Sequence, residues 1–378
     1  YYYDYADDSS WGPKFDSNIQ YLPAIAWDTS SSLFGKTESW TSHLNLRDLF
    51  NTGVSNTTNV SFAKSGIGYS TRISFSNVNI KGVNPNSDAQ RRFANIKTIF
   101  EPMKNLKVSA DYLYTYKRNH NAAAESYGGS GGGNNPYSDL IQWGNMNVNL
   151  KDYEDYKRPD GTYRSWNITS PYDFTPAFHD SPYAIYYENN RKDIRQYNVL
   201  GGDAEYSLPL NIKAGFKITG NFDNSYSDEK YPTMTGQIGD YKQWQSSSYD
   251  IYMQGRLTWQ NRFIDNKLDL SGAGFIENRK YHYEGNDVFT RDGLLTTGYY
   301  NTANSTGLSG GENATLREET QSIYGTATAG WDDTYYTELS IRNDWNSTLP
   351  THKNSYLYGG ASVSAIASNW FKNVDWLS

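Results

Sequence analysis

The feature that most constrains this chain is a period-two alternation of apolar and polar side chains, sustained over runs too long for ordinary soluble strands. From Leu106 to Arg118, Leu106, Val108, Ala110, Tyr112, Tyr114 and Tyr116 share one face, opposite Lys107, Ser109, Asp111, Thr115 and Lys117. From Asn211, Ile212, Ala214, Phe216, Ile218 and Phe222 oppose Lys213, Lys217 and Thr219. The pattern recurs with Tyr249, Ile251, Met253, Leu257 and Trp259 against Asp250, Gln254, Arg256 and Gln260, and with Leu268, Leu270 and Ile276 against Asp269, Ser271 and Glu277. Further strands are expected at Thr57 to Ser65, Tyr69 to Ile80, Arg91 to Phe100, Gln196 to Tyr206, Gln321 to Trp331, Tyr335 to Trp345 and Ser355 to Ser368. That makes roughly eleven strands, many of about 10 to 14 residues, where soluble strands cluster near five or six and a tilted membrane strand needs about nine to eleven.

The connections between these runs alternate in size. Gly66 to Gly68, Pro102 to Asn105, Leu208 to Leu210, Ile264 to Lys267 and Asp332 to Thr334 are tight, whereas Tyr1 to Asn56, Asn119 to Ile194, Asp223 to Ser246, Tyr281 to Thr315 and Asn346 to Asn354 are long. A compact soluble domain seldom carries loops above about 15 residues. A barrel with tight turns at one rim and long loops at the other predicts this asymmetry. The longest loop holds the low-complexity stretch Gly128 to Pro136, then Pro159-Asp160-Gly161, a turn signature for a small projecting hairpin. No repeat of fixed period and no domain linker is evident.

Composition narrows the classes. Tyr 34, Phe 15 and Trp 11 make the chain 16% aromatic while all hydrophobic types reach only 37%, so the apolar surface is mostly ring. A net charge of −7 lacks the basic footprint of a nucleic-acid binder. The absence of cysteine removes disulfides, thiolate metal sites and cysteine nucleophiles. No window approaches 18 consecutive apolar residues, which excludes a helical span but not a barrel, whose lumen side is polar. The opening residues carry no signal peptide and the last ones read as the start of another strand, so an internal piece of a longer protein is expected. A soluble aromatic-rich β-sandwich or solenoid, serving as a secreted or surface glycan-binding module, obeys a similar parity rule and is the alternative. The rings gathered toward strand ends, Tyr112, Tyr114, Tyr116, Tyr249 and Trp259, favour the membrane.

Catalytic and metal chemistry finds little footing. His43, His120, His179, His282 and His352 are dispersed without metal-ligand spacing. The glycine-rich run lacks the GK[ST] ending of a phosphate loop, and no GxSxG elbow occurs. Carboxylates such as Asp7-Asp8 or Asp152, Glu154 and Asp155 read first as solvated loop charges rather than as calcium ligands or glycosidase acids. The rings of the large loop, Trp143, Tyr153, Tyr156, Tyr163 and Trp166, are candidates for stacking on a sugar or peptide, with packing inside the loop as the competing reading. The chain is read as a non-enzyme without cofactor or metal.

Several segments resemble the SusC-like (RagA-like) TonB-dependent outer-membrane transporters. Trp11-Gly12-Pro13-Lys14-Phe15-Asp16 resembles the family's WGPxxDG element, with Ser17 in place of its glycine. Phe50-Asn51-Thr52-Gly53, Asn56 to Ser61 and Tyr69 to Ser76 resemble the stretch leading into barrel strands. Arg342-Asn343-Asp344-Trp345-Asn346-Ser347 resembles an R-x-D-x-S-S pattern, with Gly359-Gly360 where a proline is common. The resemblance covers most of the chain in order. It implies an all-β fold, a large antiparallel transmembrane β-barrel, of which this chain would be about half of 22 strands. It further implies an extracellular segment over 1–56, barrel strands over 57–118, a long extracellular loop over 119–194 and further strands over 195–378, without plug or C-terminal strands. The implied activity is TonB-dependent import of glycans or oligopeptides across the outer membrane of a Gram-negative bacterium. The implied partners are a SusD-like lipoprotein lid, the TonB complex through the plug, the oligomeric ligand and outer-membrane lipid. Trp11, Gly12, Pro13 and Asp16 are then expected as a structured element near the mouth, the 119–194 loop as ligand or lid contact, and Arg342 and Asp344 as family motif residues.

Overall fold

A computed structural model describes residues 3–121, 135–234 and 238–370; most of the glycine-rich stretch at 128–136 and the final residues 371–378 lie outside them. Two short strands, β1 (Asp16–Tyr21) and β2 (Glu38–Trp40), pair ahead of the main sheet. The wall then runs β3 (Val54–Gly66), β4 (Tyr69–Lys81), β5 (Asp88–Met103) and β6 (Leu106–His120). After helix α1 (Pro136–Trp143), the small pair β7 (Ile168–Ser170) and β8 (Asp173–Pro176), and helix α2 (Pro182–Glu188), the wall resumes. It continues with β9 (Asn190–Leu208), β10 (Ile212–Tyr231), β11 (Asp240–Phe263), β12 (Leu268–Phe289), β13 (Gly310–Trp331), β14 (Tyr335–Asn346) and β15 (Ser355–Ala365). The eleven wall strands form one antiparallel sheet in chain order, with β6 paired to β9 across the long insertion.

Register explains why the alternation had to be so regular. One row across the sheet reads Leu106, Tyr206, Ala214, Leu257, Gly274, Gly325, Ile341, Gly359. The row one residue along reads Lys107, Glu205, Gly215, Arg256, Phe275, Tyr324, Arg342, Tyr358, on the opposite face. A slip of one residue on β9, β10, β11, β12 or β14 would drive a charge into the uncharged face, so register is strongly specified there. That face is covered by no other layer of the described residues: Leu257 is 57% exposed, Ile276 63%, Leu339 55% and Val363 80%. A continuous exposed band of this kind is what lipid, not water, stabilises. Aromatic rings flank it, with Tyr69, Phe100, Tyr206, Phe263, Trp331 and Tyr335 toward the tight turns and Tyr116, Phe222, Tyr249 and Trp345 on the other side. This is the interfacial placement that suits amphipathic rings.

The tight turns rely on left-handed backbone. Asp332 and Asp333 have φ of 49° and 48° in the three-residue turn between Trp331 and Tyr335, and Gly68 has φ 74°. At the opposite rim the strands outrun the alternation. β10 extends to Tyr231 and β11 starts at Asp240, so most of the expected 223–246 loop is strand and the connection shrinks to 232–239. Similarly β12 and β13 climb to Phe289 and Gly310, leaving 290–309 as the loop. The wall itself begins at Val54 and resumes at Asn190, slightly wider than the expected 57–118 and 195–378.

Candidate functional site

At the long-loop rim, segments 3–53 and 135–189 fold against each other around a core of their own. Ile25 and Leu49 from the first pack with Leu140, Leu150, Tyr153, Trp166 and Tyr183 from the second. Local sequence sets the two helices. The Asn135 side chain accepts from Ser138 N–H at 3.2 Å, the Ser181 hydroxyl accepts from Ala184 N–H at 3.3 Å, and a proline follows each cap at the first helical position. The expected hairpin is present as the bridge between Lys157 and Tyr163, turning at Gly161 with φ 90°.

Buried polar ties close this assembly. Arg158 and Arg164 each donate from Nε to the same Asp28 oxygen at 2.9 Å, with side chains 9%, 3% and 5% exposed. Burial by itself would raise the Asp28 carboxyl, but hydrogen bonds from Ser30 and Arg164 and the charge of Arg158 outweigh it and hold it below its ordinary value. Asn167 is fully buried and fully used: its amide donates to the Tyr5 and Ala6 carbonyls and its oxygen accepts from Phe178 and His179 N–H. The assembly is fastened to the rim where Asn86 donates to the Tyr186 carbonyl at 3.2 Å and where Met234 packs on Ala184 and Ile185.

The five rings singled out from the large loop do not share one surface. Tyr153 and Trp166 are 4% and 2% exposed and belong to the core, so burial closes their faces to a ligand. Trp143 stacks on one side of the His179 ring at 6.3 Å while Trp166 stacks on it at 5.4 Å. Near them Asp139 is pushed up to about 6, chiefly by burial and also by Asp180, against the lowering effect of His179. Tyr156 and Tyr163 converge on Glu188, donating to its two oxygens at 2.9 and 3.3 Å, and burial with that carboxylate raises both phenols.

Trp11, Gly12 and Pro13 lie on an exposed loop that closes a cavity of about 370 Å³ with Phe15, Trp40 and Asn145. Asp16 stands beside it and organises the turn into β1: its Oδ1 accepts from the backbone and side-chain amides of Asn18, each at 2.9 Å. Ser17 has no left-handed backbone, so the turn does not require the glycine that the resemblance led one to expect. Arg342 and Asp344 are elsewhere, on the charged face of β14. Arg342 donates to Asp344 at 2.8 Å, to Glu277 at 3.0 Å and to Ser322 at 2.8 Å, and lies 4.5 Å over the Tyr324 ring. Glu277, Tyr252 and Gln254, which complete that cluster, carried no signal beyond their place on the charged face. Asp28, Arg158 and Arg164 carried none, because their partnership spans about 130 residues of chain.

Neither a protein-family model nor a curated protein matches this sequence. Solved structures do. The RagAB peptide importer in its closed-closed state superposes with a TM-score of 0.69 at 16% identity, covering 93% of this chain and 39% of that one. The RagAB peptide transporter gives 0.62 at 17% identity, with 84% and 34% covered. The outer membrane transporter YddB from Escherichia coli gives 0.51 at 10% identity, with 82% and 36% covered. This chain therefore spans little more than a third of the length of the structures it resembles. At these identities the likeness establishes architecture: the fold is that of the transmembrane β-barrel wall of outer-membrane transporters, with its long-loop rim.

Proposed function

We propose that the chain forms the wall and mouth of a TonB-dependent importer of oligomeric nutrients in the outer membrane of a Gram-negative bacterium. The observation that carries this reading is the uncharged, uncovered face of the sheet, bounded by aromatic rows, on strands with tight turns at one rim and a folded mouth at the other. A soluble glycan-binding module would leave that face in water at a large free-energy cost. The likeness to a transporter known as a peptide importer supports oligopeptides as cargo alongside glycans, and the two-component RagAB assembly supports a SusD-like lipoprotein as lid. Force from TonB would enter through a plug domain, and the glycine-rich run has no GK[ST] ending of a phosphate loop. The half-buried Trp143 edge and the Tyr156, Tyr163 and Glu188 notch are the ligand or lid contacts that burial leaves open among the large-loop rings.

The test is extraction and mobility. The protein is expected in the detergent phase, to run faster on a gel unheated than boiled, and to bring a surface lipoprotein with it through purification. A protein that stays in the aqueous phase without detergent overturns the importer reading and restores the soluble module.

A further inference from the structure

Toward the long-loop rim the outward face of the wall changes character over β4, β5, β6 and β9. The face that carries Ile73, Ile96, Tyr112 and Leu200 in one register row carries Lys81, Asp88, His120 and Lys192 in another, eight residues away along each strand. Lys81 and Asp88 stand twelve residues from Tyr69 and Phe100 of the tight-turn girdle. At about 3.4 Å per residue and a tilt of about 40° that is roughly 30 Å along the membrane normal, beyond an apolar band about 25 Å tall and at the depth of lipid headgroups. An open groove of about 520 Å³ lies there, lined by Asn56, Asn79, Lys81, Asp88, Gln90 and Arg118. Its charge is unbalanced. Asp88 is the one carboxylate on this stretch of the face among the described residues, and it is taken up by Arg118 at 2.8 Å and His120 at 3.3 Å. Lys81, Arg92 and Lys192 enter no ion pair among the described residues, and Arg92 lies 5.6 Å over the Tyr116 ring at the upper girdle. Asp228, opposite Lys192 on β10, is engaged by Lys230 at 3.3 Å and by the Tyr226 hydroxyl at 3.1 Å. Amides fill the space between the cations, with Gln90 donating to Asn79 at 3.0 Å.

We infer that this groove binds the phosphorylated sugar headgroup of a glycolipid in the outer leaflet. Ammonium and guanidinium groups without a protein partner, held at headgroup depth on a face turned to lipid, are complementary to phosphate. Lys81 and Lys192 are three strand spacings apart, about 14 Å, too far to serve one phosphate together. That separation suits a headgroup with a phosphate at each end and sugar hydroxyls across Asn56, Asn79 and Gln90. A zwitterionic headgroup would bring its own ammonium against these cations, and dissolved cargo in the lumen meets the other face of the sheet. The inference goes beyond import: it rests on the wall lying in the outer membrane with the long-loop rim outward, and not on the identity of the cargo.

The test uses the intact protein in micelles of an uncharged maltoside detergent, with native mass spectrometry counting bound lipid. Four probes separate the chemistry: diphosphorylated lipid A, the same lipid with both phosphates removed, phosphatidylcholine, and inorganic phosphate as competitor. Diphosphorylated lipid A alone among the three lipids is expected to stay bound, undisturbed by millimolar inorganic phosphate. The double variant Lys81→Gln with Arg92→Gln, which breaks no ion pair, should weaken its binding by about tenfold or more. The charge-keeping exchange Lys81→Arg with Arg92→Lys should stay within about threefold of the parent, as should Lys280→Gln on β12, where the ammonium already faces Glu319 at 3.8 Å. Equal retention of the dephosphorylated lipid, displacement by inorganic phosphate, equal loss in the charge-keeping exchange, or indifference to the glutamine pair overturns the inference. The two readings fail at different steps. A protein that stays soluble without detergent fails at extraction, before lipid is added, and removes the importer, whereas a membrane barrel that ignores the phosphates removes only the role of this groove.

Discussion

Replacing Asp28 by asparagine takes away the carboxylate that both Arg158 and Arg164 address, and the structure allows the consequence to be sized. Removing one partner of a buried ion pair costs about 3 to 5 kcal/mol, because the remaining charge is stranded. Arg164 is cushioned: it also meets the Asp155 carboxylate at 2.9 Å and donates to the carbonyls of Asp155 and Lys157. Because the Asp155 side chain is 78% exposed and so screened, the lower end of that range applies, about 3 kcal/mol, or roughly two orders of magnitude in the opening equilibrium of the mouth. The pH dependence has a definite sign. A carboxyl held below its ordinary value contributes fully above the unfolded value near 4 and loses its contribution only as pH falls through the lowered folded value. The difference between Asp28→Asn and the parent should therefore be constant from pH 5 to 8 and fade in strong acid. Amide hydrogen exchange in micelles reads it: residues 24–35 and 155–166 should exchange about a hundredfold faster, with wall amides at 200–204 as the unchanged reference. Exchange of both segments within about twofold of the parent, with an intact wall, would refute the assignment of this pair as the clasp.

Three further perturbations address the wall and the mouth. Leu339→Arg should impede folding into phosphatidylcholine vesicles by about 2 to 4 kcal/mol, whereas Ser340→Arg on the neighbouring position and opposite face should cost under about 1 kcal/mol; equal effects would mean that the uncharged face does not meet lipid. Gly215→Val should break the Arg256 contacts with Asp203 and Glu205 that cross β10, since a Cβ at 215 would sit 2.5 Å from the Arg256 Cζ; urea midpoints in micelles should fall for Gly215→Val and not for Gly274→Ala on the other face, where a Cβ would meet nothing within 4 Å. Because Asp139 is raised to about 6, the folded mouth holds a proton more tightly than the unfolded chain between about pH 4 and 6, and stability falls across that window as pH rises. Asp139→Asn should accordingly stabilise the mouth on the order of 1 kcal/mol at pH 7.5 and not at pH 4, read by exchange at 136–144.

What could be read from sequence and what could not divide along a physical line. Within the lipid-facing span each residue has one environment, and β12 sets Leu268, Leu270 and Ile276 against Asp269, Ser271 and Glu277, with Phe275 as a ring on the charged face, so all eleven strands were legible. Above it both faces of a strand meet water or other loops. In β10 from Asp223 to Tyr231 the sequence is polar on both faces, alternation vanishes, and the strand read as loop although its ladder to β11 is unbroken. The mouth was hidden for a different reason. Its core joins Ile25 to Trp166 and its clasp joins Asp28 to Arg164, pairs more than 130 residues apart in chain with no periodicity between them. Aromatic content marked the large loop as structured, but ring count alone does not separate Trp166, which fills a core, from Trp11, which stands in solvent.

That same separation bears on how the parts work together. On the charged face of the wall, Glu277 of β12 accepts from Tyr252 and Gln254 of β11 at 2.5 and 2.7 Å, Tyr324 of β13 at 2.8 Å and Arg342 of β14 at 3.0 Å, so one carboxylate ties four strands. A cluster with each donor and acceptor occupied resists shear between strands. Among the described residues, the clasp and main core of the mouth are built from 3–53 and 135–189, apart from the members of this cluster. The mouth is joined to the rim by single contacts such as Asn86 to the Tyr186 carbonyl. Local opening of the mouth therefore breaks its own core, its clasp and these rim contacts, and leaves the strand ladder intact.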